Sequence, residues 1–464
     1  MKKQQILKHT QMILIVMTYL AGLGALFFVA DIKLWSGIAA VSAAILAIVL
    51  LLGKEKKLAA VILFGSCFME GIWIIVKIYP LYLAGIYVMM LSLGVLFTGS
   101  IQERKKSREK NQEKSQEKGG GLRAAVSGAG IILATAVVLL TLFLSVTAAT
   151  SVPMIKFMQK NMMNGAGNSF EPKKNIIEDI EDGVCLSNLE YGSEYPNSFL
   201  DIYLTDTVPS EEAPTYIFFH GGGYVWGDKQ EGDPNGGSDK GLQWYIQQFV
   251  KKGYNVVSPN YALGPDYKFP TPVIQMTQVL QFLKENQDEY HINMEHVILG
   301  GNSGGGQLAG IMALIHTNPD YAKTIGIEAV LVPSEIEAVV FSSALIDNYR
   351  SYKTGDPGAD YLFLQCGKAY YGWEILEEKT DIVNIIDHAT ENFPSSFISD
   401  GNNATFYDQA FDLHEKLNSL GVPNEINWYP PSEARLGHDF ETQATEYSVE
   451  NLEKIFVFLE TVIE

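Results

Sequence analysis

The chain has 464 residues, with 34 Lys and Arg against 53 Asp and Glu, for a formal net charge of −19. That length favours two or three units over one domain, and the acidic balance argues against nucleic acid as a partner. Only three cysteines are present, too few for a scaffold built on disulfides.

The first elements in chain order are five apolar stretches, about 11–30, 34–52, 58–76, 81–99 and 124–149. Each is about 19 residues or longer, enough to cross the hydrocarbon core of a bilayer as a helix. The basic start Met1-Lys2-Lys3 would suit a secretory signal, but the apolar part that follows is too long and lacks a small-residue cleavage site, so an uncleaved first span is expected. Lys2, Lys3 and Lys8 precede the first span, Lys54, Lys56 and Lys57 separate the second from the third, and eight basic residues lie from Arg104 to Arg123. The other two loops hold only Lys33 and Lys77. Positive loops stay cytoplasmic, so this pattern places the amino terminus inside and everything after residue 149 outside.

Residues 102–123 form a low-complexity basic loop with no chemistry assigned. Glu70 falls near the outer end of the third span, where a structural role is expected in preference to an intramembrane site. Cys67 lies in that same span, which leaves Cys185 and Cys366 as the one pair that could bridge. Residues 1–149 hold 16 basic and 7 acidic residues, so the remainder carries 18 and 46, a net of −28. The charge thus divides the chain at the same place as the hydropathy.

Residues 150–185 read as a connector or cap. Beyond them, short apolar runs alternate with amphipathic helical stretches, which argues for a largely parallel sheet covered by helices on both faces. Strands are expected at Phe199 to Leu204, Thr215 to Phe219, Asn255 to Pro259, His296 to Gly300, Ala338 to Ser342, Ser395 to Ser399 and Glu425 to Tyr429. Helices fit Gly241 to Lys252, Pro272 to Asn286, Gly304 to His316, Tyr407 to Leu420 and Ser448 to Val462.

Within this pattern, residues 297–310 read VILGGNSGGGQLAG. A phosphate-binding P-loop needs a lysine where Gln307 stands. Gly304, Gly306 and Ala309 fit a dinucleotide fingerprint, but no acidic residue closes a following strand. The third reading is a nucleophile elbow, Gly301-Asn302-Ser303-Gly304-Gly305, in which a strand turns sharply into a helix and exposes the serine hydroxyl. Ser303 falls between an expected strand and an expected helix, as that reading requires.

Upstream, a strand ends in His220-Gly221-Gly222-Gly223-Tyr224. Consecutive glycines let backbone N–H groups approach an oxygen that becomes negative during acyl transfer, so Gly222, Gly223 and Gly304 are the candidate donors. Downstream comes Gly437-His438-Asp439-Phe440. A base for the serine arrives last in the chain order serine, acid, histidine, and His438 is the histidine in that context.

Residues 186–464 resemble an α/β-hydrolase of the hormone-sensitive-lipase-like and feruloyl-esterase-like carboxylesterase group. The resemblance rests on Leu200 to Tyr203, His220 to Tyr224 with Gly227-Asp228-Lys229, the segment SPNYALGPDYKFP from Ser258 to Pro270, Gly301 to Gly305, and Gly437-His438. Asn302 and Gly304 stand where the family usually has aspartate and alanine. A larger departure concerns the acid, because the segment Ser399 to Ala404 has Ala404 where the family's G-x-x-D turn places aspartate. Asp400 is the expected orienting carboxylate, Asp408 the alternative, read first as a helix cap, and Asp347 a further option.

These features imply an α/β-hydrolase fold preceded by about five transmembrane helices, multi-pass in the cell membrane with the catalytic domain extracytoplasmic. The expected activity is that of a serine esterase or lipase-like hydrolase, with Ser303, His438 and Asp400 as the triad and no metal or organic cofactor. The expected substrate is a small ester, such as an acylated sugar or a cell-envelope lipid. An acyltransferase with the same acyl-enzyme and an inactive binding or sensory module are the rival expectations.

Overall fold

The computed structural model of the chain describes residues 2–27, 32–52, 143–144, 146–147, 150–162, 167–169, 172, 174–229, 241–372 and 381–463. It divides into two units, Met1–Ser151 and Val152–Glu464.

The first unit contains α1 (Lys2–Phe27) and α2 (Ile32–Leu52), which overlap the first two expected spans. Gly24 of α1 lies against Trp35 of α2, so closely that an added Cβ would come within 2.5 Å of the indole ring. Among the described residues no helix is long and apolar enough to cross a membrane. The expected spans 58–76 and 81–99, most of 124–149, the loop 102–123, Cys67 and Glu70 lie outside the described residues.

The second unit is built on one nine-stranded sheet. Its strands are β1 (Ile176–Ile180), β2 (Gly183–Glu190), β3 (Phe199–Thr205), β4 (Pro214–Phe219), β5 (Asn255–Pro259), β6 (Asn293–Asn302), β7 (Ile336–Ser342), β8 (Ser395–Asp400) and β9 (Asn424–Trp428). Their spatial order is β1-β2-β3-β5-β4-β6-β7-β8-β9. The β1–β2, β2–β3 and β3–β5 pairs are antiparallel, and every pair from β5 through β4 to β9 is parallel. All seven expected strands are present. The connector expected at 150–185 instead contributes β1 and the start of β2 to the sheet, with helix α3 (Val152–Asn161) ahead of them. The charged run IIEDI of β1 hides this role, since an edge strand can leave most of its side chains in water.

Side-chain alternation builds a core on each face of the sheet. Ile217 and Phe219 of β4 join Val257, Leu299 and Phe341 in one cluster, while Tyr216 and Phe218 join Val256, Ile298 and Val340 in the other. The remaining helices of ten residues or more are α4 (Gly241–Lys251), α5 (Thr271–Glu285), α6 (Gly304–Thr317), α7 (Pro357–Tyr371), α8 (Tyr407–Leu420) and α9 (Glu446–Val462). Every residue of α6 is buried. Its Leu308, Ile311, Met312, Leu314 and Ile315 belong to the first core, each contributing about 1.5–3 kcal/mol by leaving water. That burial holds rigid the helix on which the site is built.

Candidate active site

Ser303 occupies the junction of β6 and α6 with φ 53° and ψ −120°, a backbone state that costs a non-glycine residue about 1–3 kcal/mol and persists only where surrounding structure enforces it. Gly305 shows how tightly the turn is enforced, since an added Cβ there would lie 2.0 Å from the carbonyl oxygen of Phe219. The start of α6, just after the strained residue, is thus pressed against the end of β4. Its hydroxyl stands at the amino-terminal end of a buried helix, where the dipole favours developing negative charge.

The His220–Tyr224 loop runs beside this elbow. Gly222 and Gly223 have φ of 97° and 57°, which a Cβ would disfavour. Gly223 and Gly304 border the cavity at Ser303, whereas Gly222 turns the loop and accepts from the Val225 and Trp226 N–H groups. Gly221 and Gly301 serve close approach: a Cβ on the first would meet Asn302, and one on the second the backbone of Gly305. His220 is a structural residue, stacked on Tyr261 with ring centres 4.2 Å apart and Nδ1 2.8 Å from the Gly221 carbonyl. Burial lowers its pKa to about 4, so it is neutral at ordinary pH.

The loop is anchored from behind. Lys229 donates from Nζ to Asp201 on β3 at 2.7 Å, and neither side chain has any solvent exposure. The two motif fragments 200–203 and 227–229 are therefore two halves of one buried ion pair.

His438 reaches the Ser303 hydroxyl. Its Nε2 lies 2.9 Å from Ser303 Oγ, and its ring is flanked by Phe363 of α7 at 5.3 Å and Phe406 at 5.1 Å. The other described histidine side chains are engaged elsewhere: His291 with Glu211, His296 with Glu337, His316 with the Met312 carbonyl, His414 with Asn424, and His388 against the Tyr321 ring.

The carboxylates sort as follows. Asp400 ends β8 and is buried, but it does not touch the imidazole. Thr405 stands between them, its Oγ1 2.5 Å from Asp400 Oδ1 and 2.9 Å from His438 Nδ1. Asp408 is not a cap, because the N-cap of α8 is Phe406; Arg350 donates to Asp408 at 3.2 Å and to Asp347 at 2.7 Å. Both alternatives are thereby committed to Arg350. Asp439 lies 3.7 Å from His438 Nε2, on the serine side of the ring.

Sequence reasoning missed Thr405 and Glu441. Glu441 is fully buried and accepts from Ser343 Oγ at 2.9 Å and from Ser399 Oγ at 3.0 Å. Burial pushes the Asp400 carboxyl up to about 7, against the opposing hydrogen bonds of Thr405 and Ser343, and burial with the nearby Asp400 charge raises Glu441 well above the usual carboxylate range. Nothing in the sequence marks a threonine as the link to a histidine, or a glutamate three places beyond it as buried.

The cavity above Ser303 is walled by Leu345, Phe363, Cys366, Tyr371 and Phe406. Cys185 and Cys366 are both buried free thiols, so the bridge that remained open does not form. Burial pushes the Cys366 thiol up to about 12, which keeps it protonated beside the serine. Among the described residues no group of side chains could hold a metal ion.

A family model described as BD-FAE matches residues 200–417. A protein of Acanthamoeba polyphaga mimivirus named as an alpha/beta hydrolase is 24% identical over 225 residues, 46% of this chain and 58% of that protein. An esterase of Gibberella moniliformis is 20% identical over 279 residues, 57% of this chain and 80% of its own length. The chain thus spans less than two thirds of the mimivirus protein. Among solved structures, esterase B from Lactobacillus rhamnosis, inhibited with a tributyrin phosphonate, superposes with a TM-score of 0.51 at 22% identity, covering 66% of this chain and 94% of that one. Val152–Glu464 therefore has an α/β-hydrolase fold.

Proposed function

We propose that this chain is a serine carboxylesterase that cleaves a small ester through an acyl-enzyme on Ser303. The observation that carries the reading is the 2.9 Å approach of His438 Nε2 to a serine hydroxyl held on a strained strand-to-helix turn. In this reading His438 takes the Ser303 proton as Oγ attacks the ester carbonyl, then returns it to the leaving alcohol. N–H groups of Gly223 and Gly304 face the carbonyl oxygen as it becomes negative. Water, activated by the same histidine, attacks the acyl-enzyme and frees Ser303. Asp400 supplies the negative charge behind the imidazole. The similarity to an esterase of Gibberella moniliformis supports the substrate class.

The reading extends to membrane attachment with the catalytic domain on the extracytoplasmic side, and to an acylated sugar or cell-envelope lipid as substrate. Its support is the charge asymmetry of the loops and the apolar faces of the first two helices. Ile13, Met17 and Leu20 on α1 and Val41, Ile45 and Ile48 on α2 are all exposed, at a spacing that puts each trio on one side of its helix. Lipid is an environment in which such faces cost nothing.

The test is turnover of a nitrophenyl ester series by the full-length chain in detergent, with product analysis when a sugar or glycerol acceptor is added. Free acid as the main product supports the esterase. Preferential acyl transfer to the acceptor makes it an acyltransferase, and no turnover with no labelling of Ser303 by a fluorophosphonate sinks both.

A further inference from the structure

We propose that Thr405 is a positioning residue that links His438 to Asp400, so that the carboxylate acts on the imidazole through a hydroxyl. The inference rests on the serine-esterase reading above and assigns one more residue to it.

The geometry fixes the direction of each hydrogen bond. A histidine acting as base toward Ser303 must have Nε2 unprotonated, which puts its hydrogen on Nδ1. Nδ1–H then donates to Thr405 Oγ1 at 2.9 Å, and the Thr405 hydroxyl donates its own hydrogen to Asp400 Oδ1 at 2.5 Å. A hydroxyl has one hydrogen to give and lone pairs to accept with, so it serves both bonds at once. When Ser303 gives up its proton, the imidazolium keeps Nδ1–H in place, Thr405 O–H stays directed at Asp400, and no proton leaves the threonine.

Three further observations place Thr405 in this role. Its side chain is 1% exposed, so water does not compete for the hydroxyl. Ala404, the position at which a family carboxylate would stand, carries only a methyl group and has φ of 55°. The loop after β8 is also locked to the segment before His438: the N–H groups of Asn402 and Asn403 donate to the Leu436 carbonyl at 2.9 and 3.1 Å, and an added Cβ on Gly401 would lie 2.4 Å from the Gly437 carbonyl oxygen. The charged and titratable groups around the link are Asp400 on β8, Glu441 behind Ser343, and Asp439 on the serine side of the ring. Asp439 is nearer Nε2, so it cannot fix the Nδ1 hydrogen.

The experiment measures kcat and KM for Thr405→Val, Thr405→Ala, Thr405→Ser, Asp400→Asn and the double variant Thr405→Val/Asp400→Asn, in the full-length chain, with thermal unfolding recorded for each. Removing the hydroxyl should lower kcat by about 100-fold or more, within the range for general-base assistance, with KM nearly unchanged. Thr405→Ser should retain activity within about tenfold of the parent chain. Because Asp400 acts through Thr405, the double variant should lose about as much as the worse single one, the non-additivity expected of residues that work as a unit. Thr405→Ala supplies the same test if the valine variant fails to fold. Activity of Thr405→Val or Thr405→Ala close to the parent's, or losses that multiply in the double variant, would overturn the link. Ser303→Ala run in parallel separates the two levels: if it is inactive while Thr405→Val is not, only the link falls, and if it is fully active the esterase reading falls first.

Discussion

His438 Nε2 lies 2.9 Å from Ser303 Oγ across 135 positions of sequence. Three separate features hold that distance: the strained turn at Ser303, the Phe363 and Phe406 rings around the imidazole, and the interlocked loops after β8 and β9.

The direct consequence concerns the nucleophile. Ser303→Ala should reduce ester turnover by about 10⁴-fold or more while leaving thermal unfolding within a few degrees of the parent. A fluorophosphonate probe should label the parent chain and not the variant; equal labelling of both would falsify the assignment.

Lys229 and Asp201 give a stability prediction independent of activity. Lys229→Met leaves a carboxylate buried without its cation and should cost about 3–5 kcal/mol, read as a fall in the denaturation midpoint. Replacing both, as Lys229→Met/Asp201→Leu, should recover much of the loss, since an apolar pair of similar volume is often tolerated. A single variant as stable as the parent would show that the pair contributes nothing net to the fold.

Gly305→Ala tests the elbow itself. The new methyl would lie 2.0 Å from the Phe219 carbonyl oxygen, a backbone atom that cannot step aside without moving β4. Destabilisation of about 3 kcal/mol or more is expected, at or above the upper end for overpacked cores, together with loss of activity. A variant that unfolds at the parent's temperature would mean that β4 and α6 can separate.

The buried carboxyl of Asp400 makes stability depend on pH. Its native pKa is raised from 3.8 to about 7, so between those values the native state holds a proton that the unfolded chain has released. Its contribution is therefore fully present below about pH 4 and is lost as pH rises toward 7. Asp400→Asn removes this loss, so the unfolding temperature of the variant relative to the parent should increase as pH rises through that window. A difference that is flat between pH 4 and 7 would contradict the raised value. Glu441 is raised in part by the Asp400 charge, so in the variant it is raised less and loses less stability as pH rises, which adds to the same trend.

Topology is open to a protease. If the positive loops stay inside, externally added protease should remove the domain after residue 149 from intact cells while leaving loop 102–123 protected. Protection of the carboxyl terminus would mean one fewer or one more crossing, and a surface substrate would go with it.

The sequence by itself determined most of the sheet and both residues of the Ser303–His438 contact. Seven of the nine strands were legible because each is a short run rich in apolar residues, and Ser303 because a turn this tight needs the glycines around it. His438 followed from chain order and from the loop that carries it. Local pattern failed where the reason for a residue lies in a distant partner. The strand IIEDI looked like connector because its pairing with β2, not its composition, makes it a strand. The pairing of Asp201 with Lys229 was present only as two unconnected fragments. Asp400 is the sharpest case: its position at the strand end singled it out, yet its separation from His438 is filled by Thr405, a residue with no charge to draw notice. Only the packing of two loops against each other decided that a hydroxyl, rather than the carboxylate, meets the imidazole.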